Sequence, residues 1–274
     1  MDRQILRRTT QIAVFVIVLI GLGSNVAYLR NFDLGYFSWL CPFYYLQTTF
    51  VWASAGIGPW ITLLVVVLGG VILTTFIFGR VFCSWICPFG TILDMAGVLK
   101  SKKEKTEFPE FLNDRMIKYG ILIGFVVAAF VLARPVFCDV CPAGAFYRTT
   151  GPAADAGFST FIFVPIVIML AVLGMAVFYD TRAWCKYFCP LGAFLAIIDR
   201  IGISRNRVHL PSEKCIECFK CEKECPMGIK TVEDTIWGDK NDIQPGECIR
   251  CYACVDSCPM KDRNPMKLEE DPAI

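Results

Sequence analysis

Cysteine dominates the chemistry open to this chain. Near the C-terminus stand Cys215-x2-Cys218-x2-Cys221-x3-Cys225-Pro226 and Cys248-x2-Cys251-x2-Cys254-x3-Cys258-Pro259, a spacing at which thiolates hold a pair of 4Fe-4S clusters. Three closely spaced thiolates wrap three irons of one cubane, and a distant fourth closes the last corner and ties two segments together. That pattern gives Cys215, Cys218, Cys221 and Cys258 to one cluster, and Cys248, Cys251, Cys254 and Cys225 to the other. The proline after each fourth cysteine has no amide proton and a fixed φ, so it ends the turn where the chain crosses between clusters. A pair of structural zinc sites is the competing reading, yet zinc motifs seldom pack four cysteines this tightly twice. A tail with so little apolar core must draw much of its folding free energy from ligation.

The rest of the 274 residues must position this tail. The chain is 55% hydrophobic and only 19% charged, with a mean hydropathy of +0.51, greasier than an ordinary soluble domain of this size. Its formal charge of +2 gives no broad basic field to draw nucleic acid. The one histidine, His209, lies outside every apolar run, so a haem held by two histidines is not expected. Apolar runs fall at Gln11 to Leu29, Trp60 to Gly79, Tyr119 to Ala133 and Thr160 to Tyr179, near the ~20 residues a helix needs to span hydrocarbon. They predict an all-α membrane domain of four transmembrane helices over residues 1–202, and a small α+β two-cluster ferredoxin domain over 203–274. Arg3, Arg7 and Arg8 before the first run, and Lys100, Lys102, Lys103, Lys105 and Arg115 in the second connection, put both termini in the cytoplasm by the positive-inside rule. The expected location is the cytoplasmic membrane, with lipid as a partner and no cleavage after the first run.

Seven cysteines lie outside the tail, and an internal repeat relates most of them. Residues 40–100 contain CPFYYLQTTF and RVFCSWICPFGTIL; residues 140–200 contain CPAGAFYRTT and RAWCKYFCPLGAFL. Two parallel two-helix units are expected, related by a pseudo-two-fold axis along the membrane normal. The axis would gather Cys83, Cys87, Cys185 and Cys189 on one face, and Cys41, Cys138 and Cys141 on the other. In each Cys-x3-Cys-Pro motif, cysteines at i and i+4 would share one face of a helical turn. The four inner thiols have four readings: a further iron–sulfur centre, another metal site, disulfides, or packing as small apolar residues. For the outer three the readings are a disulfide, in an oxidising compartment, or part of a metal site. Arg80 and Arg182, each three residues before a Cys-x3-Cys motif, would offset cluster or quinone charge or serve as plain anchors, and Asp94 could accept a quinol proton.

FCSWICPFG from Phe82 to Gly90, WCKYFCPLG from Trp184 to Gly192 and the two tail runs resemble the membrane polyferredoxins. That family includes the quinol-dehydrogenase subunit of periplasmic nitrate reductase systems and the methylamine-utilisation ferredoxins. The resemblance implies four spans, cytoplasmic clusters, and electron delivery between the quinone pool and another redox protein. The outer CPFYY and CDVCPAG cysteines depart from the nitrate-linked member, so its partner is not carried over. With no nucleophile–base constellation of the hydrolytic kind, the chemistry resides in cofactors. The expected function is that of a membrane-bound electron-transfer subunit of an oxidoreductase complex, with quinone or quinol and partner redox subunits as reactants. Its rivals are an assembly or metal-reducing maturation factor for a metalloenzyme, and a redox-sensing membrane anchor.

Overall fold

A computed structural model of the chain describes residues 3–27, 43, 46, 58–98, 115–132, 136–142, 160–202, 208–209, 215–233, 246–259 and 267–268. The four apolar runs are helical: α1 (Arg3–Ala27), α2 (Gly58–Phe78), α5 (Ile117–Leu132) and α7 (Thr160–Phe178). Shorter helices lie between and after them: α3 (Val81–Trp85), α4 (Pro88–Val98), α6 (Phe137–Val140), a π-helical turn (Trp184–Phe188) and α8 (Pro190–Ile201). Punctuation in the sequence sets several ends. Gly79 closes α2 with φ at 71° and its amide on the Thr75 carbonyl at 2.8 Å, a left-handed glycine C-cap. Pro88 and Pro190 open α4 and α8, where a missing N–H costs nothing. The tail adds β1 (Val208–His209), α9 (Lys220–Lys223), α10 (Ala253–Ser257) and β2 (Lys267–Leu268).

The chain divides into two compact units. The first joins residues 1–12, 72–91 and 194–274. Its core is apolar, with Val208, Met227, Ile229, Val232, Ile249 and Val255 buried together. β1 and β2 pair antiparallel across it, Val208 opposite Leu268 and His209 opposite Lys267. Two glycines allow close approach here. A Cβ on Gly202 would meet the Phe76 carbonyl oxygen at 2.6 Å, and one on Gly79 would strike the Arg250 guanidinium. Gly79→Ala therefore meets a left-handed backbone and an occupied space at once. It is expected to cost at least about 2 kcal/mol, read as a lower urea midpoint with an unchanged slope.

The second unit comprises residues 13–71 and 92–193. In it α5 packs on the π-helical turn and α6 on α7. Phe137 meets Phe43 and Phe125 edge-on at 5.1 and 4.9 Å, and Trp184 stacks on Phe188 at 5.8 Å. Arg182 is fully buried and makes a fork with Asp94, Nε to Oδ1 at 2.9 Å and Nη2 to Oδ2 at 2.7 Å.

Two expectations are corrected by this architecture. Among the described residues no helix is long and apolar enough to cross a membrane. α5 has 16 residues, about 24 Å at 1.5 Å per residue against a hydrocarbon core of ~30 Å. α1 begins with Arg3, Arg7 and Arg8 among its apolar residues. The four-span membrane domain of two parallel two-helix units, the integral-membrane location and the cytoplasmic placement of both termini lapse with that finding. The α+β tail is likewise corrected, because its described residues hold short helices and a single two-residue ladder.

Candidate iron–sulfur site

Two cysteine loops in the first unit share one unusual backbone. In the loop Cys215–Cys221, Glu217 and Phe219 have φ of 51° and 54°; in Cys248–Cys254, Arg250 and Tyr252, at the matching positions, have 55° and 57°. None of the four is glycine, and left-handed conformations in such residues persist only where the surroundings impose them. The alternation curls each loop so that successive amides face inward, a nest suited to negative charge. The Glu217 amide donates to Cys215 Sγ at 3.4 Å, the Ile229 amide to Cys225 Sγ at 3.5 Å, and the Arg250 amide to the Cys248 sulfur. Phe219 and Tyr252 then serve as N-caps from which α9 and α10 start.

The thiols fall into two neighbourhoods. Cys225, Cys248, Cys251 and Cys254 line one cavity together with Pro226 and Tyr252. Cys254 feels the charges of Cys248, Cys251 and Cys225 most, and more weakly that of Cys221 across the boundary. Cys215 instead feels Cys218 and Cys258, and Cys221 feels Cys215 and Cys218. Burial is the largest influence on these groups: it raises Cys215, pushes Cys221 up to about 11 and Cys248 up to about 12, and holds Cys254 well above its ordinary value. Thiols so placed keep their protons at neutral pH until a metal displaces them. Among the described residues no three His, Cys, Asp or Glu side chains converge on one metal ion. A zinc would draw its four sulfurs within about 2.3 Å of a single ion, whereas a cubane gives each thiolate its own iron. The sulfur donor set, the inward amides and the cavity fit a polynuclear iron–sulfur group.

Residues far away in sequence hold the second loop. Arg80 Nη1 donates to the Gly246 carbonyl at 2.7 Å and lies 3.9 Å from Glu247. Ser84 Oγ donates to the Ile249 carbonyl at 2.7 Å, and Trp85 Nε1 to the Arg250 carbonyl at 3.3 Å. Gln4 Nε2 donates to the Cys251 carbonyl at 2.9 Å. Asp199, fully buried in α8, accepts from the Gly246 amide and from Arg250 Nη2, both at 2.8 Å. Sequence reasoning had Arg80 as a charge offset or an anchor, and missed Gln4, Ser84, Asp199 and Arg250. Asp199 carried the one usable signal, an acid within the apolar run AFLAIIDRI.

The remaining cysteines are distributed as follows. Cys83 and Cys87 belong to the first unit, where Cys83 and Trp85 pack against the core of the tail. Cys185 and Cys189 belong to the second. The i, i+4 expectation is corrected, because the Cys87 amide bonds to Phe82 O and the Cys189 amide to Trp184 O, each at 2.9 Å. These i→i−5 bonds widen the turn and rotate the second thiol off the α-helical register. The carbonyls of Cys87 and Cys189 start the next helices by accepting from Thr91 and Ala193, and the Gly192 amide donates to Cys189 Sγ at 3.4 Å. Cys189 is thus a sulfur N-cap. Both oxygens of Asp94 are engaged by Arg182, which ties up the carboxylate read as a proton acceptor. Of the outer group, Cys41 lies outside the described residues, Cys138 is described only as backbone in α6, and Cys141 is a half-buried C-cap of that helix.

Comparison with known proteins agrees with this chemistry. The profile of a 4Fe-4S binding domain matches residues 60–106, 119–153 and 161–211, and that of a 4Fe-4S dicluster domain matches 214–262. An uncharacterised protein of Methanocaldococcus jannaschii is 30% identical over 85% of this chain and 87% of its own length. The methylamine utilization ferredoxin-type protein MauN of Paracoccus denitrificans is 29% identical over 81% and 75%. The putative electron transport protein YccM of Escherichia coli is 28% identical over 57% of this chain, which spans 46% of that relative. No solved structure matches. Thiol spacing, loop geometry and relatives converge, and the chain belongs to the ferredoxin-type polyferredoxins, proteins of electron transport that bind 4Fe-4S clusters.

Proposed function

We propose that this chain relays single electrons to or from a partner redox protein through two 4Fe-4S clusters, one on Cys215, Cys218, Cys221 and Cys258 and the other on Cys248, Cys251, Cys254 and Cys225. The observation that carries the proposal is the cavity on which Cys225 meets Cys248, Cys251 and Cys254 across the intervening sequence. When bound, each cluster supplies a one-electron couple. The residues around it hold the thiolates in register, direct amides at the sulfurs and keep the second loop out of water. Arg80, Ser84 and Trp85 anchor that loop to the Cys83 segment, so a change at the first Cys-x3-Cys-Pro motif is felt at the cluster ligands. A quinone is the small-molecule reactant we add to this relay, on the resemblance of the Cys-x3-Cys-Pro motifs to those of quinol-dehydrogenase ferredoxins.

Anaerobic iron and acid-labile sulfide analysis with EPR tests the reading, performed beside a variant in which Cys83, Cys87, Cys185 and Cys189 are all serine. The expected result is about eight irons per chain in both proteins. An iron content far below this in the parent protein overturns the two-cluster assignment, and an extra centre lost only in the variant would give the motif thiols a metal. Adding a quinol anaerobically to the oxidised protein should bleach the cluster absorbance; no bleaching at any quinol potential removes the quinone from the scheme.

A further inference from the structure

The two cysteine loops are alike in backbone and unlike in charge. At the position preceding the second cysteine, one loop has Glu217 and the other Arg250, with nearly equal φ of 51° and 55°. Their surroundings differ as well. Cys218 and Glu217 are exposed, whereas Ile249, Arg250 and Cys251 are buried. Arg250 is only 2% exposed and is fixed by the 2.8 Å bond to Asp199, with its guanidinium against Gly79. A structural tie between loop and helix does not by itself require opposite charges at matching positions. We propose that Arg250 and Glu217 set the reduction potentials of the two loops apart, Arg250 raising that of the Cys248–Cys254 loop and Glu217 lowering that of Cys215–Cys221. This rests on the two-cluster reading and deepens it, because it ranks the loops as electron acceptors.

The physical basis is the sign of the charge that an added electron meets. Reduction makes a cluster and its thiolates more negative, so a fixed cation beside them favours the reduced form and an anion disfavours it. Burial acts in the opposite sense, since a low dielectric opposes the extra negative charge. A buried loop with no cation would therefore be the poorer acceptor, and Arg250 is the cation closest in sequence to both Cys248 and Cys251. Asp199 tempers this charge but keeps the guanidinium in place, and its second bond, from the Gly246 amide, spreads its own charge toward the backbone. Arg250 is thus a positioning and tuning residue, its side chain held by Asp199.

An anaerobic redox titration with dithionite, followed by EPR, tests the proposal on the full chain. The parent protein should show two one-electron steps. Arg250→Gln should shift the step of its own loop to lower potential by at least a tenfold change in reduced-to-oxidised ratio at fixed potential, about 59 mV. Arg250→Lys, which keeps the charge, should restore most of the parental value. Glu217→Arg, on the exposed loop, should raise the other step about threefold or more in the same ratio, with iron content unchanged and the effect weakened by salt. Unshifted or oppositely shifted steps in iron-replete variants overturn the proposal. If Arg250→Gln loses iron, Glu217→Arg decides alone, since an unchanged lower step would sink the idea. A parent protein without cluster signals would instead overturn the two-cluster reading itself.

Discussion

Asp199→Ala is expected to destabilise the first unit by about 3–5 kcal/mol, the cost of leaving a buried charge without its partner. Asp199 is fully buried and accepts two hydrogen bonds, from Arg250 Nη2 and the Gly246 amide, each at 2.8 Å. Its loss takes the 2.8 Å carboxylate from a guanidinium that is 2% exposed and frees the turn at Gly246, where φ is 88°. Both groups flank Cys248, so the damage falls on a ligand loop and iron should be lost with stability. Urea unfolding under anaerobic conditions, with iron measured on the same samples, reads both effects. Asp199→Asn should cost less, because it keeps an acceptor for one of the two donors. An Asp199→Ala protein with the parental midpoint and iron content would mean that the ion pair contributes nothing to holding the loop. The Asp94–Arg182 pair offers a milder comparison in the other unit, since its carboxylate is 21% exposed and water can replace part of what is lost.

What the sequence disclosed follows from the range of the interactions involved. The repeated spacing of the two cysteine loops is a local pattern, and their backbones match it with paired left-handed residues at 217, 219, 250 and 252. Three of the four helices were legible to within a few residues, as Trp60 to Gly79 against Gly58–Phe78 shows, whereas the first begins at Arg3, eight residues before the apolar run at Gln11. Apolar composition signalled helix far better than it signalled a membrane crossing. Among the described residues no helix is long and apolar enough to make that crossing. The i, i+4 reading of the Cys-x3-Cys-Pro motifs failed for a traceable reason. Pro88 and Pro190 start new helices, so Cys87 and Cys189 become caps, and their amides reach back five residues instead of four. Apart from the buried acid Asp199, the support of the Cys248 loop could not be read. Arg80, Ser84 and Trp85 contact it across roughly 165 residues of sequence, and nothing in a short window announces such a partner.

Cys225→Ser is expected to remove the cluster of the Cys248–Cys254 loop and to spare that of Cys215–Cys221, although Cys225 follows Cys221 by only four residues. Proximity in sequence predicts the reverse, since a fourth ligand supplied by its own motif would be lost to the nearer cluster. The crossed arrangement is the one we propose, and the cavity that Cys225 shares with Cys248, Cys251 and Cys254 supports it. Iron should fall to about half, with one EPR signal remaining. Pairs of substitutions make the test independent of how well any single variant folds. Cys225→Ser combined with Cys254→Ser strikes one cluster twice, so the double variant should lose little more iron than either single one. Cys225→Ser combined with Cys221→Ser strikes both clusters and should leave almost none. Had each motif closed its own cluster, these two outcomes would be exchanged, because non-additivity marks residues that act as a unit. The crossed result carries a further consequence for folding. Each cluster then staples a segment near residue 220 to one near residue 250, so loss of either one should loosen the shared core of Met227, Ile229, Ile249 and Val255 as well as bleach the protein.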